Sequence, residues 1–394
     1  MTSAPDTISV SEGGYDIEYE DSDVNTELQS FRIKYRSNSV ISFGSGISET
    51  SGGYDTLPTI KVLGTGGTIA AKGGSSHQTA GYQVDLTIED LIKSIPDLST
   101  TCNLEYEQIL NIDSKEFGPR ELLMLHNKVK SDLSQYDAIV ITHGTDTMEE
   151  TAFFLQMTIN TYKPIVLCGS MRPSTAISSD GPMNLYQAIV IASTRESRNR
   201  GVLVALNDTI GSGFYITKSN ANSLDTFKSI GQGYLGSFVN NEVHYYYPPA
   251  KPLGLKSFNL PTSISPEDLP EVPILFGHQG LNNDIISVVV QNMKPKGLVF
   301  ATMGAGSMAD STNKLVGQYG SELPVVYSKR AMDGMVPTGS LSKLKDDNGN
   351  PLLSNVIASG YLNPQKSRLL LQLCLFEKMS NEGIRKVFKG VYGG

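Results

Sequence analysis

The sequence has few cysteines and no excess of basic residues, and each shortage excludes a class of protein. Its 394 residues carry 40 Asp and Glu against 32 Lys and Arg, so it lacks the basic surface that nucleic-acid binding requires. No apolar run reaches the length of a membrane span, and the acidic N-terminus lacks the pattern of a cleaved signal peptide. The three cysteines, Cys102, Cys168 and Cys374, lie far apart, which fits a reducing compartment. We expect a cytoplasmic globular protein whose partners include neither nucleic acid nor membrane.

Histidine is also scarce, and its pattern argues against a metal centre. One of the five histidines, His143, lies in a short polar motif. The other four lack the spacing of metal ligands: His77, His126, His244 and His278. We therefore expect no metal site.

What the chain does contain, after a polar start, is an alternation of short apolar runs with helical patterns. This alternation predicts βαβ units around a parallel sheet, and the chain length favours two domains. Residues 1–57, rich in Ser, Gly, Asp and Glu, are interpreted as a disordered extension with a strand at 30–35. A proline-dense stretch at 248–271 is interpreted as a linker between domains at 58–247 and 272–394. The predicted strands are 60–63, 138–141, 165–168, 202–206, 274–276, 298–301, 325–327 and 356–358, and the clearest helices are 146–159 and 364–379.

Two turns rich in threonine follow two of the predicted strands. Gly64-Thr65-Gly66-Gly67-Thr68 comes after strand 60–63, and Thr142-His143-Gly144-Thr145-Asp146-Thr147 comes after strand 138–141. Open α/β sheets bind their ligands in loops at the carboxyl ends of parallel strands. Two such loops with hydroxyl groups, one of which also carries a carboxylate, indicate a site for nucleophilic attack.

The first turn has glycines that let the backbone approach a ligand closely. It is not a phosphate-binding P-loop, because no Gly-Lys-Ser/Thr follows it. The hydroxyls of Thr65 and Thr68 are therefore the candidate nucleophiles, each needing a base or relay to remove its proton. Taken alone, this turn favours a simpler interpretation, a glycine-rich turn that closes a strand and carries incidental threonines.

The second turn places Thr145 and Asp146 at the start of a predicted helix. A helix N-terminus stabilises negative charge, so Asp146 can bind a substrate ammonium while Thr145 offers a hydroxyl. The alternative is that either residue simply caps the helix, which is compatible with catalysis. His143 is assigned to hydrogen bonding. Lys218 is a candidate partner base, although a lone lysine is usually a solvated surface residue.

Longer stretches of the sequence resemble a known family, the bacterial-type L-asparaginases. Thr65-Gly66-Gly67-Thr68-Ile69-Ala70 resembles the first signature of that family. The segment from Ile141 to Ala152, which contains Thr-His-Gly-Thr-Asp-Thr-Met-Glu-Glu-Thr, resembles the second. Further similar motifs are Met171-Arg172-Pro173-Ser174, Ser179-Asp180-Gly181-Pro182-Met183-Asn184-Leu185, Arg200-Gly201-Val202 and Leu362-Asn363-Pro364-Gln365-Lys366. Together the motifs cover the chain from about residue 58 to the C-terminus.

The resemblance implies a larger N-terminal parallel-sheet domain of the flavodoxin-like kind and a smaller C-terminal α/β domain. It also implies hydrolysis of L-asparagine to L-aspartate and ammonia without a cofactor, by a homotetramer whose active sites are shared between subunits. Thr68 would be the nucleophile, activated by Tyr82. Thr145 would polarise or attack the amide carbon, Asp146 would bind the substrate amine, and Lys218 would tune Thr145. The residues implied to bind substrate are Gly67, Ser114, Gly144, Thr145, Asp146, Ser170 and Ser307.

The sequence departs from the family around the substrate amine. Lys115 stands where the family often has Gln or Glu, and a lysine ammonium cannot accept a hydrogen bond. No glutamate follows Arg330 at the place expected for an acid from the neighbouring subunit, where Asp333 is the nearest carboxylate and Ser340 lies nearby. The alternatives are therefore an enzyme that hydrolyses glutamine comparably, a silent binder of acidic amino acids, and, least supported, a phosphate-binding protein.

Overall fold

The computed structural model describes residues 57–78, 81, 83–252 and 254–392, without the side chains of 391–392, and the backbone of two earlier strands. Residues 1–55 and 56–394 form two compact units. In the first, β1 (Tyr15–Tyr19) pairs antiparallel with β2 (Phe31–Tyr35). The strand predicted at 30–35 thus corresponds to β2, whereas β1 was not predicted. The predicted disorder of the extension apart from these two strands lies outside the described residues.

The N-terminal part of the second unit is built around an eight-stranded mixed sheet. Its strands are β3 (Thr59–Gly66), β6 (Asn103–Ile112), β7 (Ala138–Thr142), β8 (Ile165–Cys168), β9 (Val202–Leu206), β10 (Thr209–Ser212), β13 (Gly236–Val239) and β14 (Glu242–Tyr245). Two small ladders pair β4 (Ala71–Lys72) with β5 (Gln83–Val84) and β11 (Thr217–Lys218) with β12 (Phe227–Lys228). The helices are α1 (Ile88–Lys93), α2 (Pro119–Asp132), α3 (Met148–Thr158) and α4 (Gly181–Ser193).

The parallel part of this sheet has the strand order of a flavodoxin-like fold. The order is β6-β3-β7-β8-β9, which is 2-1-3-4-5 when the five strands are numbered along the chain. Both faces are buried, as β7 shows: Val140 packs with Leu185 of α4, whereas Ile139 packs with Leu125 of α2 and Leu155 of α3. Continuous apolar runs are therefore the expected signature of these strands.

The sheet is not wholly parallel, because two tight hairpins extend it beyond β9. Asn207 and Asp208 connect β9 to β10, and both have positive φ, at 51° and 60°. Asn240 and Asn241 connect β13 to β14 in the same way, at 50° and 65°. Two-residue turns with positive φ at both positions match the twist of antiparallel strands, and Asn and Asp tolerate that conformation.

The C-terminal part contains a four-stranded parallel sheet in chain order. Its strands are β15 (Ile274–Phe276), β16 (Leu298–Thr302), β17 (Val325–Lys329) and β18 (Val356–Ala358), and its helices are α5 (Asn283–Met293), α6 (Asp310–Gln318), α7 (Pro364–Phe376) and α8 (Asn381–Tyr392). The predicted class, a two-domain α/β protein with a larger N-terminal and a smaller C-terminal domain, is confirmed.

The chain between the two sheets packs into a shared core. Phe258 donates its backbone N–H to Met157 O of α3 at 2.8 Å, and Leu260 and Leu269 are buried in the cluster that contains Leu370 of α7. The boundaries at 58–247, 248–271 and 272–394 stay predictions. Within the parts of the chain that the structure describes, every helix is too short or too polar to cross a bilayer.

Candidate active site

The two threonine turns meet at the edge of the sheet where the parallel strand order reverses. They follow β3 and β7, which lie side by side, and such a switch point is where doubly wound sheets bind ligands. Gly67 has φ 82°, and a Cβ placed on it would lie 2.3 Å from Gly144 Cα. The backbones of the two turns are therefore in direct contact, and only glycine at position 67 permits that contact.

The structure distinguishes the two candidate threonines of the first turn. Thr65 is buried, and its Oγ1 donates to the backbone oxygen of Thr142 at 2.8 Å. Its hydroxyl therefore ties the first turn to the second. Thr68 begins a short 3₁₀ helix, Thr68–Ala70, directly after Gly67, and is partly exposed. Thr68 is thus the more accessible hydroxyl of the two.

Lys218 connects the two functional groups of the second turn. Its Nζ lies 2.9 Å from Thr145 Oγ1 and 2.6 Å from Asp146 Oδ1. Thr145 is buried, whereas the Asp146 carboxylate is 60% exposed and so remains accessible to a ligand. Although 72 or more residues separate Lys218 from the turn, the structure brings all three side chains together.

Ser114 adds a hydroxyl from the loop that follows β6. It is buried, and its Oγ has no hydrogen-bond partner among the described residues. A Cβ on Gly144 would lie 2.5 Å from this Oγ, so Ser114 faces the contact between the turns. Its backbone oxygen accepts from Thr147 Oγ1 at 2.9 Å. The adjacent Lys115 is largely exposed, with its Nζ 3.5 Å from Asp113 Oδ2.

The remaining predicted site residues have different placements. Ser170 lies in the loop after β8, where its Oγ donates to Arg172 O at 2.8 Å. Ser307 lies in the exposed loop after β16, in the C-terminal domain, and its backbone exchanges hydrogen bonds with Met303. Tyr82 lies outside the described residues. In the ranges that the structure describes, no cluster of His, Cys, Asp and Glu could hold a metal ion.

His143 makes hydrogen bonds within the second motif, as predicted. Its Nδ1 lies 2.8 Å from Gly144 O, its Nε2 lies 3.0 Å from Thr151 Oγ1, and its ring contacts Phe117. Complete burial lowers its pKa from 6.5 to about 4, because desolvation penalises the charged ring. His143 is therefore neutral near pH 7.

Glu149 belongs to this site, and its role was not apparent from the sequence. Its Oε2 accepts from the backbone N–H of Lys218 at 2.6 Å and from Thr217 Oγ1 at 2.5 Å. Its Oε1 accepts from Asn363 Nδ2 at 2.8 Å. The sequence marks Glu149 only as an acid in the first turn of a helix, where acids are common.

Comparison with known proteins agrees with this geometry. The family model for the asparaginase N-terminal domain matches residues 59–251, and that for the glutaminase/asparaginase C-terminal domain matches residues 271–388. L-asparaginase 2-3 of Saccharomyces cerevisiae is 48% identical over 86% of this chain and 92% of its own length. L-asparaginase 2 of Escherichia coli is 38% identical over 86% and 94%. A crystal structure of a probable cytoplasmic L-asparaginase from Campylobacter jejuni superposes with a TM-score of 0.76 at 37% identity, covering 84% of this chain and 99% of that one.

These matches and the two-turn site define a hydrolase of the two-domain α/β class. The chain belongs to the asparaginase family, which confirms the resemblance seen in the sequence motifs.

Proposed function

We propose that this protein hydrolyses L-asparagine to L-aspartate and ammonia, with Thr68 as the nucleophile. The observation that supports the proposal is the backbone contact between Gly67, which precedes Thr68, and Gly144, which precedes Thr145 and Asp146, the two residues that Lys218 bonds. Family membership supports the same reaction, since the matched relatives are named L-asparaginases.

Each end of the substrate has a complementary group in the site. The exposed carboxylate of Asp146 pairs with the α-ammonium of the substrate. This new pair partly replaces the ion pair between Asp146 and Lys218. The unpartnered, buried Ser114 Oγ donates to the α-carboxylate. These two contacts hold the side-chain amide next to the two threonine hydroxyls, so the reaction becomes effectively intramolecular.

The reaction has two chemical steps. Thr68 Oγ1 adds to the amide carbon while Tyr82 takes part in accepting its proton, and the C–N bond then breaks as the nitrogen is protonated and leaves as ammonia. Water next attacks the resulting aspartyl ester, which releases L-aspartate and restores the Thr68 hydroxyl. Thr145, held by Lys218, polarises the amide carbonyl, and the lysine ammonium stabilises the developing negative charge.

Replacement of the Thr68 hydroxyl tests the proposal. Ammonia release from L-asparagine and from L-glutamine is measured for the unaltered protein, Thr68→Ala and Thr68→Ser. We expect release from asparagine by the unaltered protein, loss of at least roughly 10²-fold in Thr68→Ala, and partial retention in Thr68→Ser. Circular dichroism spectra should coincide for all three. Full turnover by a folded Thr68→Ala protein would refute the assignment, and binding of L-aspartate without any turnover would favour the silent binder.

We also infer a homotetramer whose sites combine the N-terminal domain of one subunit with the C-terminal domain of a neighbour. Ser307 is exposed at the carboxyl edge of the C-terminal sheet and is free to reach another subunit. Large apolar side chains are exposed on edge strand β15 and helix α5, which is typical of an association surface. They are Ile274, Phe276, Ile285, Val288 and Met293.

A cytoplasmic location is inferred on two grounds. The three cysteines are buried free thiols, which is compatible with a reducing compartment. The matched Campylobacter jejuni structure is described as that of a probable cytoplasmic enzyme.

A further inference from the structure

Glu149 occupies a position between the two domains that the reaction described above does not use. It is the second residue of α3 and is only 3% exposed. A buried carboxylate is stable only when hydrogen bonds replace its lost hydration. Here the N-terminus of α3 and several donors from distant parts of the chain provide that replacement.

The two oxygens of Glu149 serve different domains. Oε2 accepts from Thr217 Oγ1 and Lys218 N in β11, within the N-terminal domain. Oε1 accepts from Asn363 Nδ2, with Gln365 Nε2 farther away at 3.4 Å. Asn363 caps α7 of the C-terminal domain, because its Oδ1 accepts from Lys366 N at 3.0 Å. The amide of Asn363 is thus oriented by the cap and presents its N–H₂ to Glu149.

The backbone of Lys218 has little other support. Strand β11 is only two residues long, and its ladder with β12 contains two residue pairs. The Lys218 side chain extends from this strand to Thr145 and Asp146. The bond from Lys218 N to Glu149 therefore fixes the point from which the lysine reaches the site.

We propose that Glu149 is a positioning residue that holds Lys218 against Thr145 and links that contact to the first turn of α7. The inference rests on the proposed function, since it assigns Lys218 a part in amide hydrolysis. Glu149 itself touches neither the substrate nor the reacting atoms. It acts through the backbone of Lys218. Because Glu149 also bonds to Asn363, the alignment of Lys218 with Thr145 depends on the position of the C-terminal domain relative to the N-terminal domain.

Charged groups surround Glu149 on each element packed against it, so the choice of variant matters. Lys218, whose backbone Glu149 binds, pairs with Asp146, and Glu149 also acts electrostatically on Lys366 of α7 and Glu150 of α3. Lys366 Nζ donates to Phe214 O at 2.7 Å and is fully buried, which lowers its pKa to about 8 while Glu149 opposes that shift. A neutral residue of equal size at position 149 is therefore the smallest useful change.

The test compares Glu149→Gln with Glu150→Gln in the full-length protein. Glutamine has only one side-chain acceptor oxygen, so its N–H₂ must face either Lys218 N or Asn363 Nδ2. In either arrangement two hydrogen-bond donors face each other and one bond is lost. Glu150 is the control, because it is the neighbouring glutamate on α3, is half-buried, and faces Arg368 rather than Lys218. Asn363→Asp is a second variant that retains a good helix cap while placing a carboxylate against Glu149.

Two measurements are made on each protein: kcat and KM for asparagine, and amide hydrogen exchange of the segment that contains Lys218. We expect Glu149→Gln to lower kcat by roughly 10²-fold, the loss that a misplacement of about 1 Å can cause. KM should stay close to its original value, because Asp146 and Ser114 are intact. Exchange at Lys218 should quicken in Glu149→Gln and Asn363→Asp but not in Glu150→Gln.

The outcomes separate this inference from the proposed function. Unchanged kcat and unchanged exchange in Glu149→Gln would overturn the positioning role. Equal losses in Glu149→Gln and Glu150→Gln would also overturn it, since they would reflect general destabilisation. If the unaltered protein releases no ammonia, the proposed function fails, and the exchange data alone then decide whether Glu149 holds Lys218. Should Glu149→Gln fail to fold, the kcat and exchange of Asn363→Asp decide instead.

Discussion

At the scale of single residues, burial determines which groups of the site carry charge. His143 lies inside the second motif with both ring nitrogens in hydrogen bonds, and its pKa is lowered to about 4. It therefore orders the turn around Gly144 and is unsuited to proton transfer near pH 7, where a general base needs a pKa close to the working pH. The mechanism proposed above accordingly gives His143 no part in proton transfer.

The buried His143 predicts a specific loss of stability in acid. The unfolded histidine takes up a proton below pH 6.5 and the native one only below about 4. The free energy of unfolding should therefore fall by about 3 kcal/mol across that window. In His143→Asn this pH-dependent change in unfolding free energy is absent, because asparagine does not titrate. Urea unfolding near pH 7 should show that His143→Asn is less stable than the unaltered protein. Near pH 4.5 the difference in unfolding free energy between the two proteins should be smaller. The same difference at both pH values would contradict the prediction.

Thr145 and Thr142 make a matched pair for testing the hydroxyl beside Lys218. Thr145→Val removes the group bound by Lys218 Nζ, so kcat/KM for asparagine should fall by roughly 10²-fold or more. Thr142 is as buried, but its Oγ1 has no hydrogen-bond partner among the described residues. Thr142→Val should therefore keep activity and be equally or more stable. Similar kinetics for the two variants would mean that the Thr145 hydroxyl has no chemical role.

Sequence motifs predicted many of the single residues gathered here, and the family resemblance assigned roles to their hydroxyls, but neither predicted the hydrogen bond that distinguishes Thr65 from Thr68. Thr65 and Thr68 are equivalent in the glycine-rich turn, and only the fold shows that Thr65 bonds to Thr142 O. Glu149 was harder to recognise, because its partners lie 68 to 214 residues away. A local pattern carries no information about such contacts.

At the scale of elements, the site depends on how closely the turn after β3 approaches the turn after β7. Gly67 has φ 82° and ψ −175°, a conformation that is essentially restricted to glycine. Gly67→Ala should lose about 1–3 kcal/mol from this strain alone, and more from its Cβ, which would lie 2.3 Å from Gly144 Cα. We expect activity to fall with it, because separating the turns moves Thr68 away from Thr145.

Gly390→Ala is the control for that prediction. Gly390 lies in α8, and a Cβ there would meet no atom within 4 Å. Alanine should raise the unfolding free energy by about 0.5–1 kcal/mol and leave ammonia release unchanged. Thermal denaturation and steady-state assays measure both effects. Comparable destabilisation by the two substitutions would show that the turn contact at Gly67 is not special.

The elements most readily predicted are those marked by continuous apolar runs. Strands 165–168, 202–206 and 356–358 were predicted with their observed bounds, since continuous apolar runs mark them. Strand β6 (Asn103–Ile112) was not predicted, because it is an edge strand with an irregular pattern of polar residues. Glu107 on this strand pairs with Lys61 and Lys128, contacts that have no periodic signature.

At the scale of the whole molecule, the placement of Ser307 in the C-terminal domain raises the question of which subunit completes each site. If sites are shared, a Thr68→Ala subunit still offers an intact C-terminal domain to its neighbour. A Ser307→Arg subunit, whose bulky side chain should block the site it reaches, still offers an intact Thr68. Mixed oligomers of the two should therefore regain activity, with about a quarter of the sites intact after random assembly.

Co-expression of the two tagged variants, followed by tandem purification of mixed oligomers, provides that measurement. Thr68→Ala combined with Thr145→Val is the control, because both defects lie in the N-terminal domain and no pairing of subunits can supply an intact one. Light scattering should give the mass of a tetramer for every preparation. If each site lay within one subunit, neither mixture would regain activity. If sites are shared, the mixture of Thr68→Ala with Ser307→Arg should regain activity and the control mixture should not.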